Sequence, residues 1–146
     1  HVDTLLPNDV DGVVSALSSM GSNGFRWGFF AVALSGSRPL LRMIEWAMNL
    51  RSKLTRIATG DQVLIVEKAF FNAMKNFTLL PLMEDVEFCR RARRQAKPCW
   101  IPLTVITSSR RWENRGVVRT MLLMWAIRFQ FYLGVPASKL ARQYRK

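Results

Sequence analysis

The sequence predicts an α/β protein in which a mixed sheet is flanked by helices and an apolar helix lies near the C-terminus. Short runs of β-branched and aromatic residues alternate along the chain with segments of helical periodicity. The 146 residues are enough for one domain with a substantial core. Hydrophobic residues make up 49% of the chain and charged residues 22%, which is typical of globular proteins and not of disordered ones.

The first two elements follow from local patterns. Residues 10–17 carry valine and leucine at helical spacing, and either Asn8 or Asp9 can cap that helix. Residues 25–34 are aromatic and rich in strand-forming side chains, so a strand is predicted there.

The middle of the chain continues the alternation. Pro39 suits the first turn of a helix over residues 40–54, whose apolar side chains share one stripe. Residues 63–66 form a short continuous apolar run, which predicts a buried strand. A second short helix is predicted over residues 67–75.

The last third begins with a predicted helix over residues 84–96, followed by a strand over 99–106. Pro102 argues for an edge position or an irregular course of that strand. Residues 107–115 are polar and rich in arginine. Residues 117–133 predict a long apolar helix, too short and too often interrupted by arginine to span a membrane with confidence, and a basic tail follows. This helix lies either in the core or in a membrane interface.

The charge balance indicates the class of partner. Lysine and arginine number 22 against 10 acidic residues, a net charge of +12, which favours nucleic acid, diphosphate substrates or an acidic membrane surface. Cys89 and Cys99 do not make a disulfide framework, and the single histidine excludes a histidine-built metal site. These features predict a reducing, cytoplasmic compartment.

Two adjacent acids, Glu84 and Asp85, open the predicted helix after Pro81. Acids are favoured at a helix N-terminus because free N–H groups and the macrodipole attract negative charge, which is sufficient as a structural interpretation. The functional interpretation makes one of them a general base at the edge of a pocket. The local sequence pattern alone does not decide between the structural and the functional interpretation.

Two further segments carry candidate polar groups. Asp3 follows an apparent strand end, where α/β sheets place their ligands, and could hold a divalent cation against a diphosphate; an ordinary loop aspartate is the alternative. Gly60, Asp61 and Gln62 place an acid and an amide beside a permissive glycine, and a turn is their simplest explanation.

A third candidate segment contains Arg110, Arg111 and Trp112. Two guanidinium groups beside an indole can grip phosphate oxygens next to a stacking surface. A solvated basic loop with one half-buried tryptophan is the alternative.

Taken in order, these segments resemble the family 2 glycosyltransferases, and most closely a bacterial subgroup of transferases associated with radical-enzyme gene clusters. The order and spacing of five segments carry the resemblance: Asp3-Thr4, 38–42, 60–62, 81–87 and 109–113. It implies the A-type glycosyltransferase fold, a Rossmann-like α/β sandwich. Residues 1–116 would be the C-terminal half of its catalytic domain, and residues 117–146 an amphipathic helix with a basic tail.

The resemblance also implies a reaction, the inverting transfer of a sugar from a nucleotide-diphosphate sugar to an acceptor hydroxyl. Asp85 would be the base that deprotonates the acceptor, with Glu84 capping the helix or orienting its neighbour. Asp3 would be the metal-side carboxylate, with magnesium or manganese as the ion. The remaining matched residues would bind substrate: Gly60, Asp61, Gln62, Arg110, Arg111 and Trp112. Ser108 departs from the pattern, because processive relatives have glutamine there.

The chain is expected to be a piece of a longer protein, because residues 1–4 read as the exit of a strand and the nucleotide-binding half would precede them. The 146 residues alone are expected to be inactive. The sequence does not identify the acceptor molecule, and a lipid-linked acceptor is one option. Peripheral contact of the protein with the inner face of the membrane is another expectation that stays open. The alternative function is a non-catalytic basic module on an acidic membrane or on nucleic acid. Nucleic acid is disfavoured, because no helix-turn-helix, zinc or RNA-binding motif is present.

Overall fold

The computed structural model describes residues 4–145, without the side chains of residues 111, 115 and 145. The predicted α/β class and mixed sheet are confirmed. The elements in chain order are β1 (Thr4–Leu5), α1 (Val10–Ser22), β2 (Trp27–Leu34), α2 (Pro39–Thr55), a 3₁₀ turn (Gly60–Gln62), β3 (Leu64–Val66), α3 (Lys68–Ala73), α4 (Glu84–Gln95), β4 (Cys99–Thr107), α5 (Arg110–Arg115), α6 (Val117–Tyr132) and α7 (Ala137–Arg145).

The four strands lie in the order β1-β4-β2-β3, with β2 and β4 parallel and the outer pairs antiparallel. Phe30 pairs with Ile101, but the next residue of β2, Ala31, pairs with Thr104. Two additional residues of β4, one of them Pro102, are therefore accommodated in a bulge, which tolerates the missing proline N–H. The irregular course predicted for this strand is confirmed. Strand β4 lies between β1 and β2 in the sheet, but β1 pairs only with Ile106 and Thr107, so the stretch around Pro102 has β2 alone as its described neighbour.

Strand β3 is short and lies at the edge of the sheet, where it pairs with β2 alone. Its three residues are all only partly buried, so the buried strand predicted over residues 63–66 is wrong in its burial. A strand buried on both faces needs a partner on each side and layers above and below, and β3 has one partner.

Beyond Phe29, side chains take over from β3 at the edge of β2. Asn49 of α2 accepts from the Val32 N–H at 3.0 Å and donates to its carbonyl at 2.9 Å. Glu45 accepts from the N–H of Leu34. Helix α2 therefore provides hydrogen-bond partners for backbone groups of β2 that lie beyond the reach of β3. These bonds fix the position of α2 along the sheet.

Helix α1 begins at the cap predicted from the sequence. The Asp9 carboxylate accepts from the N–H of Gly12 at 2.8 Å, which selects Asp9 over Asn8 as the cap. Pro39 occupies the first turn of α2, as predicted, and that helix ends where Arg56 adopts a left-handed conformation with φ of 56°.

The C-terminal helices join the main core. Ile127 of α6 and Leu140 of α7 are fully buried in the same cluster as Trp27 and Phe88. The other face of α6 is exposed at Leu122, Trp125 and Phe129, among others, so this helix has both a core face and an open apolar face. Among the described helices, none is both long and apolar enough to cross a bilayer.

Two helices were not predicted as such. Residues 110–115, expected only to be polar, form α5, and the expected basic tail forms α7. Ala137, Leu140 and Ala141 are buried along one side of α7. Their spacing of three and four residues is the helical signal that the many basic residues of the tail obscured.

Candidate functional site

The Asp85 carboxylate is held by two backbone amides. Its Oδ2 accepts from the N–H of Gly60 at 2.6 Å, and its Oδ1 accepts from the N–H of Val86 at 2.7 Å. Asp85 lies in the first turn of α4, where the helix N-terminus adds a favourable potential for negative charge. The carboxylate is therefore fixed by main-chain groups from two separate segments.

Glu84 differs from its neighbour in position. It is the first residue of α4 and is exposed, and the cap position belongs to Met83, which has a φ of 67°. The capping expected of Glu84 is therefore wrong. Both acids line an open groove of about 590 Å³, bounded by Gly60 and by residues 77–80.

The 3₁₀ turn is anchored by Gln62, whose side chain is fully buried. Its Oε1 accepts from the Ser52 hydroxyl at 2.6 Å, and its Nε2 donates to the carbonyl of Phe30 at 3.4 Å. These bonds tie the turn to α2 and to β2. Gln62 therefore positions the turn. The two residues before it, Gly60 and Asp61, line pockets at the surface.

A cavity of about 240 Å³ lies between α2 and α6, and Asp61 of the 3₁₀ turn and Trp112 of α5 also line it. Its polar lining comes from Arg51, Asp61 and Arg128, with Trp112 beside them, and the remaining walls are aliphatic, methionine and tryptophan side chains. Asp61 lines the cavity while the preceding residue, Gly60, lines the groove beside Asp85. The two clefts therefore adjoin at this turn.

Arg51 and Arg128 are two partly buried cations of this cavity. In each, the Nε is inaccessible to solvent and has no hydrogen-bond partner within residues 4–145. Arg51 also donates from Nη2 to the Ser52 hydroxyl at 3.0 Å. Neither arginine was among the predicted site residues. The sequence did contain a signal for Arg128, because this charged residue interrupts an otherwise apolar helix.

Burial changes the acidity of both guanidinium groups. Burial, together with the nearby positive charge of Arg128, lowers the pKa of Arg51 from 12.5 to about 10, against the opposite effect of Tyr132 and Asp85. Burial likewise lowers the pKa of Arg128, although Asp85 and Asp61 act in the opposite direction. The carboxylates around the cavity thus offset the cost of burying these charges only in part.

The other predicted residues divide into two groups. Arg110 is exposed at the start of α5. Asp3 and the side chain of Arg111 lie outside the described part of the chain. Within that part, no three cysteine, histidine, aspartate or glutamate side chains come together as a metal site. A divalent ion therefore has no described ligand set, and the predicted metal depends on Asp3.

Comparisons of the chain with models of protein families, with curated proteins and with solved structures find no match.

Proposed function

We propose that this chain supplies the acceptor and base half of an inverting glycosyltransferase of A-type fold. One observation carries the proposal: candidate residues from three separate segments, Gly60-Asp61, Asp85 and Trp112, gather around two adjoining clefts. A local turn, a helix start and a basic loop would each explain one segment alone. They do not explain why the three lie together.

Asp85 is the proposed base. In the reaction, the acceptor oxygen attacks the anomeric carbon of the sugar, the bond from that carbon to the diphosphate breaks, and the acceptor proton passes to a carboxylate. The Gly60 and Val86 amides each occupy one acceptor position of the Asp85 carboxylate. A carboxylate oxygen has more than one acceptor position, so Asp85 can still take a proton from a hydroxyl in the groove.

The departing diphosphate requires positive charge nearby. Arg110, exposed at the start of α5, is the described candidate, with Arg111 next to it in the chain. Trp112 follows these two arginines in the chain and lines the adjoining cavity, where it offers a flat apolar wall. Magnesium or manganese at Asp3 would add Lewis-acid charge stabilisation, as the resemblance implies.

The substrate class can be tested by thermal shift on the protein expressed from its complete reading frame, with a panel of nucleotide-diphosphate sugars and magnesium or manganese. A donor present at 100 times its dissociation constant stabilises the folded state by about 2.7 kcal/mol, which raises the melting temperature measurably. A panel without a single stabilising donor would contradict the proposal.

A second candidate is a basic module that binds an acidic membrane surface at its cytoplasmic face. Trp46, Trp125 and Phe129 favour it, because each exposes more than half of its side chain on a protein of net charge +12. Co-sedimentation with acidic liposomes tests this role. DNA binding that falls steeply with salt would instead favour the nucleic-acid alternative.

A further inference from the structure

Neither proposed role uses the cavity's two partly buried arginines. Arg51 comes from α2 and Arg128 from α6, and each positive charge acts electrostatically on the other. Burying two like charges in an apolar cavity is costly unless other groups compensate them. A ligand that carries negative charge would remove this cost on binding.

Within the part of the chain that the structure describes, the compensation of these two charges is incomplete. Asp61 lines the same cavity, and the carboxylate of Asp85 is close enough to act on both guanidinium groups. Even so, the pKa of Arg51 and that of Arg128 remain below the ordinary arginine value. The Nε–H groups of both arginines are buried donors without an acceptor in the described chain, and such donors are rare in native proteins.

The remainder of the cavity is apolar. Met48, Met121, Met124 and Trp125 contribute to its walls. Trp125 is also 58% exposed and belongs to an exposed stripe of α6 that includes Leu122 and Phe129. An apolar chain that leaves the cavity can therefore continue along α6 over apolar surface.

We propose that this cavity binds a single-chain amphiphile with a phosphate head, which Arg51 and Arg128 hold while its chain passes Trp125 towards the exposed stripe of α6. Phosphate matches the site better than carboxylate, because it offers more acceptor oxygens to two guanidinium groups that approach from different helices. The cavity is slightly smaller than the usual ligand pocket of 300 Å³ or more, so it takes the head and the first part of the chain.

As a binding site the cavity is independent of sugar transfer. Binding measured without any nucleotide sugar separates ligand binding by the cavity from sugar transfer, because the ligand can bind even where no transfer occurs.

The test is calorimetric titration of the 146-residue chain with monomeric octyl phosphate, compared with octanoate, octanol and inorganic phosphate. We expect saturable binding of one octyl phosphate per chain and at least tenfold weaker binding of the other three. Replacing either arginine by an uncharged side chain of similar length, in Arg51→Met or Arg128→Met, should weaken octyl phosphate binding roughly tenfold or more, the value of one charge-assisted hydrogen bond. Arg119→Met, on the exposed side of α6, is the matched control and should bind as the unchanged chain does.

A second readout separates ligand binding from a structural role. Removing a buried, incompletely paired charge is expected to leave the melting temperature of the free chain unchanged or higher. A lower melting temperature in both methionine variants would assign the arginines to the fold and overturn the proposal. Undiminished octyl phosphate binding in both variants would overturn it too, as would inorganic phosphate or octanoate binding as tightly as octyl phosphate. Binding to phosphatidic acid vesicles that both variants retain, without a response to monomeric octyl phosphate, would likewise contradict it and indicate surface charge alone.

Discussion

The N–H of Gly60 donates to Oδ2 of Asp85 at 2.6 Å and joins two segments 25 residues apart. This bond fixes the carboxylate at the place where the groove meets the cavity. It depends on the position of the 3₁₀ turn, which Gln62 sets from within the core. The candidate site is therefore coupled to the packing of α2 against the sheet.

Gln62→Leu should destabilise the fold by about 1–3 kcal/mol, because it removes two buried hydrogen bonds, one from the Ser52 hydroxyl and one to the Phe30 carbonyl. Urea denaturation measures the change. Gln95→Leu, at the exposed end of α4, is the matched control, with an expected effect within about 0.5 kcal/mol. Equal effects of the two substitutions would show that Gln62 does not anchor the turn.

Glu87 and Arg91 should make stability dependent on pH. Arg91 donates to the Glu87 carboxylate at 2.7 and 2.8 Å and also to the carbonyls of Met74 and Asn76. Burial raises the pKa of Glu87, but hydrogen bonds from Arg91 and Thr78 outweigh this, so its pKa is lower than the ordinary 4.5. A carboxyl whose pKa is lower in the folded state adds stability above its unfolded pKa, and this is lost as the pH falls through the folded pKa.

Glu87→Gln should therefore reduce the free energy of unfolding by about 0.5–1 kcal/mol at pH 7, and by less near pH 3. Urea denaturation of both proteins at the two pH values tests this. A difference that stays constant between them would contradict the ion pair as its source.

Cys89 should resist thiol reagents in the folded chain. Burial raises the pKa of its thiol from 9.0 to about 12, and its Sγ donates to the carbonyl of Ala58 at 3.7 Å. The thiolate fraction at pH 8 is then roughly a thousandfold below that of an ordinary cysteine. Cys99 is the other thiol of the chain, and burial raises its pKa as well. The Cys99→Ser variant removes this thiol, so that labelling reports on Cys89 alone. Labelling of native Cys99→Ser at the rate of the urea-unfolded chain would contradict this packing.

Local pattern predicted most of the elements. The apolar stripes of α2 and α6, and the acids that open α4, place those helices within one or two residues of their observed ends. The sequence predicted an edge or an irregular course at Pro102, but the bulge that accommodates this proline against β2 depends on which strands pair, which the sequence does not encode locally. The bonds from Asn49 and Glu45 to the edge of β2 likewise depend on tertiary approach, which no spacing along the chain encodes.

The candidate site was predictable only in part. Asp61, Asp85 and Trp112 were identified from motif order, and they lie around adjoining clefts. Arg51 and Arg128 were not identified, because they come from helices far apart in the chain. Arg51 alone reads as an ordinary charged residue on a helix, and Arg128 as an interruption of an apolar helix. Only the fold brings the two side chains to one cavity.

The central claim is that Asp85 is the base, and sugar transfer by Asp85→Asn tests it most directly. The protein from the complete reading frame would be assayed with the donor found by thermal shift. Asparagine keeps one acceptor for the two amides, so the fold should lose only about 1 kcal/mol, while transfer should fall at least about 100-fold. Glu84→Gln should reduce transfer by less than about tenfold, and Asp11→Asn, an exposed acid in the first turn of α1, is the matched control. Transfer by Asp85→Asn at the rate of the unchanged protein would contradict the account.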